Sequence, residues 1–242
     1  MNEGNWINIF ILTHMGYLCD SLVFQPELSN NPVHFTDGEK LGDVGSHSIT
    51  EASGLAASRL HTDILYTHND KGDNARIFAI RKSDGHKMAE FQIQGAHNYD
   101  WEDLAISTCP DGGFCLYIVS KVQGGKGKLA HIPNSYWNTN LVVQITHLTT
   151  IGIPTSAHPD PVAGDISPDG HEVLIKTREN VYYWYVPDNN YSDILSGHPV
   201  SLPYIHENRG EALCWDEHGQ GYYTLGEGSN KHIYYYRRII PI

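Results

Sequence analysis

Basic residues are scarce in this chain. Its 242 residues carry 16 Lys and Arg against 28 Asp and Glu, a formal net charge of −12. The single basic cluster, Lys121 to Lys128 in KVQGGKGK, reads as a solvated hairpin loop. That balance argues against a nucleic-acid partner, because affinity for a phosphate backbone comes from clustered Lys and Arg. Long apolar runs are missing too. The longest, WINIFILTHMGYL at 6–18, is too short to span a bilayer. Cysteine is limited to four residues and none falls in a CxxC pair, which sets aside a structural zinc site. The sequence has no GxSxG elbow, no HExxH helix and no P-loop, so its catalytic residues, if any, are unknown. No long segment places apolar residues at helical spacing, which argues against a helical solenoid.

What the chain does have is a motif that recurs four times. The copies begin EASGLAAS at Glu51, WEDLAIS at Trp101, AGDISPDG at Ala163 and GEALCWDE at Gly210. Each is followed by a turn and a second strand-like segment: ILYTHND (64–70), CLYIVSK (115–121), EVLIKTRE (172–179) and GYYTLGEG (221–228). Runs such as RIFAI, VYYWYV and HIYYYR are rich in β-branched and aromatic residues, as strands are. Asp84-Gly85, Asp111-Gly112, Asp169-Gly170 and His218-Gly219 supply hairpin turns between them. The acidic marks Glu51, Glu102, Asp165 and Glu211 lie 51, 63 and 46 residues apart, close to the period of roughly 40–50 residues of a propeller blade. The expected fold is therefore all-β, a β-propeller of four-stranded antiparallel blades with four units detected. The expected domain plan is one propeller domain over 23–242, preceded by a signal-like segment over 1–22.

If each unit opens on the strand nearest a common axis, Glu51, Glu102, Asp165 and Glu211 gather around one mouth of a central channel. Carboxylates so placed repel one another unless separated, protonated, hydrogen-bonded or paired with a cation. Calcium, which takes six to eight oxygens in flexible geometry, is the natural ion for such a ring. The alternative is that each carboxylate accepts backbone N–H groups from its neighbour and acts as structural glue. A second cluster, His68, Asn69 and Asp70 with Asp73, follows the strand LYT and offers nitrogen and oxygen donors at a strand end or loop. A plain turn explains the same residues.

Cys109 and Cys115 bracket PDGGF, whose turn is expected to bring the two sulfurs within bonding reach as a disulfide. Cys19 and Cys214 have no assigned partner. Such a bond, the signal-like N-terminus and the Asn190-Tyr191-Ser192 glycosylation sequon all point to an extracellular, secreted location.

Taken together, EASGLAASRLHTDILYTHNDKGDNARIFAI, NYDWEDLAIS, GDISPDGHEVLIKT and RGEALCWDEHGQGYYTLGEG resemble a family of largely uncharacterised, often secreted TolB-like β-propellers, over roughly residues 45–237. The resemblance implies a propeller of five or six blades and no established activity. Where such relatives carry a GDIGDN-type loop and a DAEAL-type acidic unit, this chain runs directly from CPDGGFC into LYIVSK. That departure implies a ring short of about one blade.

Three functional readings follow. The chain is an extracellular scaffold, a monomer, that binds an unidentified small molecule or protein and whose acidic channel holds calcium. Alternatively it is a calcium-dependent hydrolase of an ester, lactone or phosphoester, or a shortened isoform without activity. The first is preferred because no nucleophile or base can be named.

Overall fold

The computed structural model describes residues 33–93, 95–108, 113–122, 126–133, 161–187, 199–228 and 231–240. The regular structure among them consists of strands alone, in four antiparallel sheets. Two short strands, β1 (His34–Phe35) and β2 (Glu39–Asp43), come first. Sheet one then follows as β3 (Ala52–Ala57), β4 (Ile64–Asn69), β5 (Arg76–Arg81) and β6 (Lys87–Gln92). Sheet two is β7 (Trp101–Thr108), β8 (Phe114–Val122) and β9 (Lys126–Pro133). Sheet three is β10 (Pro161–Ile166), β11 (Glu172–Thr177), β12 (Val181–Tyr185) and β13 (Val200–Leu202). Sheet four is β14 (Ala212–Trp215), β15 (Gly221–Leu225) and β16 (His232–Ile239). Both N-terminal strands pair with the free edge of β16, β2 along His232–Tyr235 and β1 along Arg238 and Ile239. The last sheet is thus completed by the first described strands, which covers an edge that would otherwise expose unpaired backbone groups.

Each sheet is a meander, and its turns follow the chemistry of the residues that make them. In the β10–β11 hairpin Asp169 Oδ1 accepts the His171 N–H at 3.1 Å, and Gly170 takes φ 81°. Asp216 plays the same part after β14, accepting His218 and Gln220 N–H groups at 2.9 and 2.8 Å. Asx side chains that bond backbone two residues on are a preferred way to nucleate such turns.

The strands that open the four sheets, β3, β7, β10 and β14, touch one another in succession: β3 meets β7 and β14, and β10 meets β14 and β7. Small residues make this approach possible. Gly54 sits in a bulge of β3 with φ 62°, and a Cβ there would lie 2.8 Å from Leu104 N and 2.9 Å from Asp103 Cα on β7. Hydrophobic faces fill the space between sheets. Leu65, Phe78 and Ile80 of sheet one pack on Tyr223, Leu225 and Tyr235 of sheet four. On its other side sheet one packs Tyr66 and Ile77 on Trp101, Leu104 and Ile118. Leu174, Val181 and Tyr183 of sheet three meet Leu213, Trp215, Tyr222 and Tyr236. Each fully buried side chain of this size stabilises the fold by roughly 1.5–3 kcal/mol.

One expectation is corrected here. The disulfide between Cys109 and Cys115 is not formed within the described structure: no disulfide joins two described residues, and Cys214 is a free, buried thiol. The β7–β8 ladder pairs Ser107 with Cys115 and ends at Thr108 and Phe114, so the hairpin register sets Ser107, not Cys109, across from Cys115. Cys115 is itself not a free thiol, and Cys109 lies outside the described residues. Cys19, Asn190 and the segment 1–22 also lie outside them.

A candidate cation site at an acidic mouth

Five carboxylates converge where the inner strands begin. Asp70 follows β4, Asp100 precedes β7, Glu102 lies in the bulge of β7, Glu211 precedes β14 and Glu227 follows β15. They form two sets of three, Asp70 with Asp100 and Glu102, and Asp70 with Glu211 and Glu227, each with one oxygen per residue lying within 4.8 Å of the others. Calcium–oxygen bonds are about 2.4 Å long, so ligands of one ion stand no further apart than about 4.8 Å. Both sets have a spacing that one calcium ion can bridge, and Asp70 belongs to both.

Backbone contacts set these side chains. Asp70 N donates to Glu51 O at 2.9 Å, and the Asn98 side chain donates to the carbonyls of Asn69 and Asp70, both at 2.9 Å. Asn98 Oδ1 in turn accepts Trp101 N at 3.0 Å. The loop before β7 is thereby tied to the end of β4, which brings Asp100 and Glu102 to Asp70. On the other side Lys176, fully buried on β11, donates to Gly210 O, to Thr177 O at 3.3 Å and to Tyr204 Oη at 3.0 Å. These bonds hold the corner from which Glu211 projects. Glu207 is buried beside Lys176 and accepts Thr224 Oγ1 at 3.0 Å. Burial lowers the Lys176 pKa and raises that of Glu207.

The mouth concentrates negative charge. Glu227 is pushed up to about 7 by burial first and then by Glu211, Asp70 and Glu51. Two arginines answer that charge. Arg178 binds Glu211 Oε1 through Nη2 at 2.7 Å and Nε at 3.1 Å, and Arg209 Nη1 stands 3.8 Å from Glu227 Oε2. Arg209 has φ 47°, the only positive φ outside glycine among the described residues. A non-glycine side chain in that region is strained, and such strain gathers at functional corners.

The residues singled out in the sequence thus divide. Glu102, Glu211 and Asp70 come together, and Glu51, exposed, stands near enough to act on Glu227. Asp165 does not join them. It lies inside β10, where Oδ2 accepts Trp215 N of β14 at 2.8 Å. Its neighbour Asp103 has the same kind of role, accepting Gly164 N of β10 at 3.0 Å and Leu55 N of β3. His68 is fully buried, with Nδ1 2.9 Å from Asn69 O and its ring edge-on to Trp101 at 5.6 Å. Asn69 accepts Thr50 and Glu51 N–H groups and donates to Asp73, which pairs with Arg76 at 2.8 Å. Three of the four loop residues therefore shape the strand end, and Asp70 alone serves the mouth. In the sequence Glu227 repeats the position of Asp70, an acid after the second strand of its unit, and Asp100 stands beside Glu102, but that pattern does not show that either one meets Asp70.

Among the described residues no helix is long and apolar enough to cross a membrane. Searches of protein-family models and of curated proteins find no match for this chain.

Proposed function

We propose that this chain is an extracellular β-propeller whose acidic mouth binds a divalent cation of the calcium type, the rim around it presenting loops to a ligand or partner protein. The observation that carries the cation reading is the placement of two carboxylate triads on a shared Asp70. Hard oxygen donors alone suit calcium better than softer metals. The propeller reading is supported by the succession of contacts among β3, β7, β10 and β14, and by the N-terminal strands completing the sheet of β16. The secreted location and the kinship with TolB-like propellers rest on the sequence motifs and the signal-like segment.

Binding is favoured over hydrolysis by the state of His68. An imidazole close to the mouth in sequence is withdrawn from solvent and held near pKa 4 by burial, so it is not poised to take a proton from water at neutral pH. The deciding experiment is thermal unfolding of the full chain in chelator and in millimolar calcium. A ligand that binds only the folded state raises the midpoint, so calcium is expected to raise it in the wild type and not in Asp70→Asn. A wild-type midpoint indifferent to calcium ends the cation reading.

A further inference from the structure

Glu227 stands apart from the other buried acids. Outside the mouth, Asp103, Asp165, Glu172, Glu207 and Asp216 each accept two or more hydrogen bonds. Glu227 is 7% exposed and accepts none from a described residue; the guanidinium beside it, Arg209 Nη1, stands 3.8 Å from Oε2, too far to bond. A buried carboxylate without donors is costly unless something else neutralises it. Its oxygen lies within 4.8 Å of oxygens of Asp70 and Glu211, so an ion seated among these three supplies what the fold leaves out. Exposure then orders the site in depth. The side chains of Glu227 and Glu211 are 7% and 11% exposed, whereas those of Arg209 and Arg178 are 70% and 48% exposed. A ligand that approaches the ion from solvent on this side meets two guanidiniums.

We propose that a cation seated by Asp70, Glu211 and Glu227 forms, together with Arg178 and Arg209, a binding site for an oxyanion, a carboxylate or phosphate group of the ligand. Such a site rests on the proposed cation and names the chemical class of its ligand. Calcium takes six to eight oxygens, and three carboxylates leave positions open for the ligand's own. Guanidinium forks match carboxylate and phosphate geometry. Arg209 donates no hydrogen bond to a described residue, so its donors are free for a ligand. Arg178 holds Glu211 by one oxygen, on a carboxylate whose charge the ion takes over. The same charges make oxyanion binding depend on the ion. Glu227 feels Glu211, Asp70 and Glu51, while Asp100 and Glu102 belong to the other set, beyond Asp70. On this side four carboxylates thus face two guanidiniums, and the empty mouth repels an anion. One divalent cation cancels that excess and leaves the arginines for an outside partner.

Calorimetric titration of the full chain with calcium is followed by titration with phenyl phosphate, benzoate and benzylamine, in millimolar calcium and in chelator. The probes share one ring and differ in the charged group, so they separate phosphate from carboxylate and both from a cation. At least one of the two anions is expected to bind about tenfold or more tighter in calcium than in chelator, and more tightly than benzylamine. Arg209→Gln should weaken that anion by about tenfold while calcium binds more tightly, opposite changes that general damage to the fold does not produce. If Arg209→Gln does not fold, Arg178→Gln is read in the same way. Calcium uptake without anion binding overturns the oxyanion site and leaves the cation standing. So does anion binding that is equal in chelator, a preference for benzylamine, or a variant that binds the anion as wild type does or loses calcium along with it. A chain that takes up no calcium ends the cation reading, and the oxyanion site with it.

Discussion

Arg178 holds Glu211 through a single carboxylate oxygen, with Nη2 and Nε at 2.7 and 3.1 Å from Oε1. The chain's own guanidinium therefore competes for one ligand of the proposed cation. Arg178→Gln is expected to tighten calcium binding several-fold, the effect shrinking with added salt because the arginine is half-exposed. Calorimetric titration of both proteins at two ionic strengths checks this.

Asp70 is common to both carboxylate triads, and Asp100 and Glu227 each belong to one. Removing its charge is expected to weaken calcium binding by at least tenfold. Asp100→Asn or Glu227→Gln takes away one ligand from one side and should do less. Equal losses for all three variants would show that Asp70 is not shared in solution.

Away from the mouth, Arg238 of β16 grips Glu172 of β11 with two bonds, 2.9 and 2.5 Å, while Tyr183 Oη donates to the same carboxylate at 2.6 Å. The guanidinium also lies over Trp215 at 5.4 Å and over Phe35 at 5.2 Å. Breaking a buried pair leaves an uncompensated charge, so Arg238→Ala is expected to lower stability by about 3 kcal/mol. Tyr183→Phe removes one charge-assisted bond and should lower it by about 1–2 kcal/mol. Urea midpoints measure both.

Gly54 is irreplaceable on two counts. Its φ of 62° disfavours any L side chain, and a Cβ would collide with the backbone of β7 at 2.8–2.9 Å and with His68 Nε2 at 2.7 Å. Gly54→Ala should destabilise by more than the ~1 kcal/mol of the backbone effect alone. A variant as stable as wild type would mean that β3 and β7 are not this close.

His68 makes the fold acid-sensitive. Burial lowers its pKa from 6.5 to about 4, so the stability it allows is present above about 6.5 and is lost as pH falls toward 4. His68→Phe keeps an aromatic ring against Trp101 and cannot be protonated. Its unfolding free energy is expected to fall less than that of wild type between pH 7 and 5.

The strands and turns were legible in the sequence because they depend on neighbours along the chain. VYYWY and GYYTL became β12 and β15, and Asp169-Gly170 turned as its chemistry requires. The site was legible only in part. Glu102 is the second residue of β7 and Glu211 stands just before β14, but Asp165 is the fifth residue of β10. Three residues further along a strand is roughly 10 Å, which takes Asp165 from the mouth into the interior. A repeated motif marks which segments correspond and leaves this offset open.

By itself the sequence determined what is local: which segments extend, where they turn, that their opening strands are small enough to pack closely, and that acids mark their starts. Tertiary structure alone decided which acids meet. Asp70 and Glu211, 141 residues apart, share a site because β3 packs against β14, whereas Asp165 was drawn into a bond with Trp215. Such encounters depend on how whole sheets stack, and no short-range pattern encodes the stacking of surfaces that are distant in the chain.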